Sequence, residues 1–96
     1  MLLQIIKAEY LGNYKYKIAF NDGRQGVADL KMLAHDEPKT VFSKFSDEKF
    51  VSEGRLAHGT MLWPGDIDVA PEYIYYITFN DEQEFHNTFV NWGYCK

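Results

Sequence analysis

The sequence has 96 residues, 46% hydrophobic and 17% aromatic, enough for one hydrophobic core, so a single domain over 1–96 is expected. Fourteen acidic against ten basic residues give a net charge of -4, and the lysines are spread along the chain, which argues against direct nucleic-acid binding and is compatible with a basic protein partner. No apolar run approaches the roughly 20 residues that span a bilayer, and the apolar start over 1–6 is short for a secretory signal, so no membrane association and a cytoplasmic location are the default expectations.

In chain order, residues 5–10 read as a strand joined through Leu11, Gly12 and Asn13 to the clearest strand of the sequence. There Tyr14, Tyr16, Ile18 and Phe20 alternate with Lys15, Lys17 and Ala19 at the two-residue period of a half-buried strand. Asn21-Asp22-Gly23 is a hairpin signal, and a third strand follows over about 25–28, completing a meander with Lys15 and Lys17 on its solvated face. Leu30 and Leu33 are spaced for one helical turn before the polar loop His35-Asp36-Glu37-Pro38. Phe42, Phe45 and Phe50 punctuate short packing turns, with Ser46 placed to cap a helix starting near Asp47. Residues 55–63 suit a bent strand or a hairpin returning to the sheet, ended by Pro64-Gly65. Residues 73–79 fit a helix or a strand equally well. Asn80 and Gln83 resemble a capping box, with Phe85, Phe89 and Trp92 on one face of the helix that follows and Gly93 as its stop. The fold class expected is α+β: a small antiparallel β-meander sheet with short helices and a C-terminal helix.

The run Trp63-Pro64-Gly65-Asp66-Ile67-Asp68-Val69-Ala70-Pro71-Glu72-Tyr73-Ile74-Tyr75 resembles the signature of the domain of unknown function 2442 family. That pattern has Trp, a Gly-containing turn, Asp, an aliphatic residue, a variable residue, Pro, an acid and a Leu-Tyr pair, with Ile74 here in place of the leucine. The meander, the segment from Val27 to Leu33 and the Phe42, Phe45, Asp47, Phe50 spacing are similar as well, so the likeness spans roughly 5–75, with a helical extension over about 78–96. The Gly65-Asp66 pair departs from the family's usual Asn-Gly. The resemblance implies a small mixed domain, mostly bacterial, with no established activity and no catalytic residues to carry over. It also implies relatives joined to helix-turn-helix domains or encoded beside small partners in toxin-antitoxin-like pairs; this chain looks too short to hold the DNA-binding half.

Asp66, Asp68 and Glu72 form the tightest acidic cluster. Their oxygens suit a divalent cation in type but lack calcium-loop spacing, and the favoured reading makes Asp68 a cap and Glu72 a favourable charge at a helix start. His35, His58 and His86 lie far apart, and a lone Cys95 allows neither an intrachain disulfide nor a cysteine cluster and reads as an exposed thiol. No nucleophile elbow and no phosphate-binding glycine loop is present, so no metal, no cofactor and no catalysis are expected, a hydrolase built on Asp66, Asp68 and His58 being the remote alternative. Aromatics crowd the second half, explained by core packing or by a partner-covered surface. The candidate interaction surface is Trp63, Asp66, Asp68, Tyr75, Phe85, Phe89 and Trp92. The leading functional expectation is a non-enzymatic protein-interaction or regulatory module, of an antitoxin-like kind, binding a protein partner or a second copy. The alternative is a small-ligand sensor whose pocket lies between the sheet and the 63–75 segment.

Overall fold

The computed structural model describes residues 2–36 and 39–94. The Glu37-Pro38 turn and the Cys95 thiol read from sequence lie outside the described residues. Strands β1 (Ile5–Gly12), β2 (Lys15–Phe20) and β3 (Gln25–Asp29) form the expected antiparallel meander in the order β1-β2-β3. The first turn is tighter than the alternation suggested. Asn13 and Tyr14 both have positive φ (53° and 68°), the geometry whose twist matches that of flanking strands in a two-residue hairpin, so Tyr14 sits in the turn and not in the strand. Asn21-Asp22-Gly23 makes the second hairpin, closed by a bond from the Gly23 N–H to the Phe20 carbonyl at 3.1 Å.

Register then sorts the side chains. Tyr10 faces Tyr16, Ala8 faces Ile18 and Ile5 faces Phe20, and Tyr16 and Ile18 face Ala28 and Gly26 across the other edge of β2. These positions make the inner face, while Lys17, opposite Glu9 and Val27, belongs to the solvated one.

After the meander, Leu30 and Leu33 are both buried about the start of α1 (Lys31–Asp36). A 3-10 segment, Val41–Ser46, leads into α2 (Glu48–Ser52). The cap of α2 is Asp47, whose carboxylate accepts from the Lys49 N–H at 3.1 Å; Ser46, the expected cap, instead donates its hydroxyl back to the Ser43 carbonyl. Residues 55–63 do form a hairpin, which lies against β1 of the meander but belongs to a sheet of its own. Strands β4 (Arg55–Ala57), β5 (Thr60–Trp63) and β6 (Ile67–Val69) make a second antiparallel sheet. Turns at His58-Gly59 and at Gly65-Asp66 fold the chain back twice, so β4 and β6 occupy both edges of β5. The Ile5 N–H bonded to the Gly59 carbonyl at 2.8 Å links the two sheets.

Helix α3 (Pro71–Phe79) resolves the ambiguity over 73–79. Proline at its first position has the φ a helix needs and no N–H to satisfy, and Ile74, Tyr75, Ile77 and Phe79 are buried. Gly26 lies under its last turn: a Cβ there would come 2.6 Å from Thr78 Cγ2, so only glycine lets helix and sheet approach this closely. Asp68 does not cap α3. It sits in β6 paired with Leu62, and Ala70 precedes the helix without a side-chain bond. Nor does the Asn80–Gln83 box form, because Asn80 closes α3 and a 3-10 segment, Gln83–Phe85, intervenes before α4 (His86–Trp92). Gly93, left-handed at φ 85°, ends α4 as expected.

Candidate functional site

The expected surface residues divide into three groups. Trp63 is 2% exposed and structural. Its indole N–H donates to the Val51 carbonyl at 2.9 Å, and its ring meets Phe45 edge-on at 4.8 Å. The same carbonyl accepts from the Tyr16 hydroxyl at 2.6 Å, and that hydroxyl accepts from the Gly54 N–H at 3.0 Å. Burial pushes the Tyr16 phenol up to about 12, the Gly54 hydrogen bond opposing the rise. Two side chains from the two sheets thus converge on the end of α2, joining the sheets across the core. Between the meander and the 63–75 segment, Tyr16 also meets Trp63 edge-on at 6.1 Å and Phe20 meets Tyr75 at 4.8 Å.

Asp66 and Asp68 are exposed. Asp66 is a turn residue at φ 58°, beyond one end of β5, and His58 occupies the turn beyond the other end. Among the described residues no group of three His, Cys, Asp or Glu side chains is placed to hold a metal ion.

Tyr75, Phe85, Phe89 and Trp92 do come together. Phe89, 1% exposed, packs on Tyr76 at 5.1 Å and Tyr75 at 6.4 Å, so the stripe of α4 is covered by α3 of its own chain. Trp92, one turn further, remains 39% exposed. Beside it opens a cleft of about 250 Å³ lined by Leu3, Asp22, Tyr75, Phe85, Thr88 and Trp92. Its polar corner is built by one long-range and one local bond: the Tyr75 hydroxyl donates to Asp22 Oδ2 at 2.7 Å, while Oδ1 accepts from the Arg24 N–H at 2.9 Å. Burial, then the bond to this carboxylate, holds the Tyr75 phenol well above its ordinary range, so it is a protonated donor at neutral pH. Arg24 lies over the Phe85 ring at 4.8 Å, with Glu84 at 3.6 Å and Asp22 at 4.0 Å, and so ties the second hairpin to the start of α4. Each Asp22 oxygen keeps room for a further donor.

Residues 5–80 match a family described as protein of unknown function, DUF2442. The chain belongs to the DUF2442 family. The match reaches five residues beyond the 5–75 read from the signature and takes in all of α3. Within the cleft, Asp22 and Tyr75 fall inside the DUF2442 span, and Leu3, Phe85, Thr88 and Trp92 fall outside it. No curated protein and no solved structure matches the chain.

Sequence reading overlooked Leu3 and Thr88 and took Asp22 only as part of a hairpin signal, because hairpin, N-terminal segment and C-terminal helix meet only in three dimensions. A second signal was readable. The even spread of lysines holds only to Arg55. Between Arg55 and Lys96 there is no lysine or arginine but six acidic residues, whereas nine basic and eight acidic residues nearly cancel over 1–55.

Proposed function

We propose that the chain is a non-enzymatic protein-interaction module of the cytoplasm whose Trp92 cleft receives an apolar side chain from a partner protein. The observation that carries this reading is Trp92, a large aromatic left 39% exposed at the wall of an apolar cleft whose far corner offers an ordered carboxylate. Tryptophan and tyrosine beside a pocket are the composition of interface hot spots. Size supports a side chain over a free metabolite. At about 250 Å³ the cleft falls below the roughly 300–1,000 Å³ of small-molecule pockets, yet it accommodates one leucine- or phenylalanine-sized group. A regulatory role of antitoxin kind would be one use of such a module.

The test is affinity purification of the tagged chain from its native host, comparing wild type with Trp92→Ala and with Lys17→Ala on the solvated sheet face. A stoichiometric protein retained by wild type and Lys17→Ala but lost from Trp92→Ala is the expected result. Recovery of the same proteins with Trp92→Ala would remove the cleft from consideration, and recovery of the chain alone would remove the stable partner.

A further inference from the structure

Leu3 is a wall of two clefts. On its other side a second opening of about 230 Å³ is lined by Leu2, Gln4, His58, Pro71 and Glu72 among others. The segment between the clefts belongs to no strand yet is hydrogen-bonded to the second hairpin. The Asn21 side-chain amide donates to the Leu2 carbonyl at 2.7 Å, and its oxygen accepts from the Gln4 N–H at 3.0 Å. One side chain thereby clamps the backbone on both sides of Leu3, the ridge that the two clefts share, with Leu2, 73% exposed, lining the second cleft.

Charge specifies the occupant. Neither cleft has a lysine or arginine in its lining, and each has one carboxylate, Asp22 in the first and Glu72 in the second. Arg24 is the cation near the first cleft, and it is shared between Asp22 and Glu84, which leaves one negative charge in excess at that rim. His58 is the titratable base in the second lining.

We propose that the two clefts form one bipartite groove for an extended basic segment of a partner protein, an apolar side chain entering beside Trp92 and a lysine or arginine crossing the Leu3 ridge to reach Glu72. This rests on the interaction reading given above and adds to it the second cleft and the sign of the partner's charge.

Selection from a random-peptide display library against the folded chain tests it, followed by affinity measurements on Trp92→Ala and Glu72→Gln, both checked for native circular dichroism. The enriched peptides should combine an apolar residue with lysine or arginine. Glu72→Gln should weaken them about three- to fivefold at low salt, an effect that fades as salt is raised, and Trp92→Ala should weaken them about tenfold or more. Peptides without basic residues, or peptides sensitive to Trp92→Ala and indifferent to Glu72→Gln, would overturn the bipartite groove and leave the Trp92 cleft standing. No enrichment, or binding indifferent to Trp92→Ala, would overturn both.

Discussion

Gly54→Ala tests the junction of the two sheets. A Cβ at this position would stand 2.6, 2.7 and 2.8 Å from Cε2, Nε1 and Cζ2 of Trp63. Ordinary carbon contacts lie at about 3.5–4.0 Å, so the indole must retreat by about 1 Å. It has nowhere cheap to go, since Phe45 meets one side of it and Tyr16 another, and a shift of that size breaks the 2.9 Å bond from Nε1 to the Val51 carbonyl. Overpacking costs about 1–3 kcal/mol, and a buried donor left without a partner costs about 1–3 more. The stiffer unfolded chain returns about 0.4–1 kcal/mol, so a net loss of about 1–5 kcal/mol is expected. Urea unfolding followed by far-ultraviolet circular dichroism measures it. The same substitution in a Trp63→Leu background, which lacks all three contacted atoms, should cost less than about 1 kcal/mol. A Gly54→Ala protein as stable as wild type, or a penalty unchanged by Trp63→Leu, would refute the assignment of Trp63 as the fixed wall against Gly54.

Tyr16→Phe removes the hydroxyl that bonds Val51 and Gly54 and leaves the Gly54 N–H without that acceptor, so a loss of about 1–3 kcal/mol in the same urea assay is expected. Stability should also fall with rising pH above 10. Tyr16 keeps its proton to about 12 when folded, whereas the unfolded chain releases it near 10, so its contribution is complete below 10 and is lost as pH climbs through that interval. Tyr75 acts in the same direction. The fall should steepen by about 1.4 kcal/mol per pH unit for each proton retained, and Tyr16→Phe should flatten the urea midpoint against pH. Thr88→Trp fills the first cleft from its half-buried wall; the expected outcome is an unchanged melting temperature with loss of the protein retained by wild type in affinity purification.

The meander was legible because Tyr16, Ile18 and Phe20 alternate with exposed or half-exposed neighbours over a full strand, and Asn21-Asp22-Gly23 specifies its turn. The second sheet was not, since β4 and β6 are three residues each, too short for a period of two to declare itself. Asp68 looked like a cap because it precedes Pro71-Glu72, but Pro71 already spares the helix one donor and Asp68 was needed for pairing with Leu62. The apolar stripe of α4 was legible, and its cover was not: Tyr75 and Tyr76 lie in a segment whose own secondary structure was undecided. The first cleft depends on Asp22 meeting Tyr75 across 53 residues of sequence, a distance at which no local pattern speaks. What local reading missed there, the charge census after Arg55 supplies in part, since it marks the segment after Arg55 as net acidic.

The two meanders carry a consequence for how the chain folds. Every strand pairs only with the strand next to it in sequence, so each sheet closes through short turns and never waits for a distant segment to arrive. Loop-closure entropy for such pairings is small, and each meander can form early and separately. Docking of the sheets, when Tyr16 and Trp63 both reach the Val51 carbonyl, is then the step expected to be slow and cooperative. In stopped-flow folding kinetics, substitutions at that carbonyl's donors should slow folding, whereas those in α4 should chiefly speed unfolding.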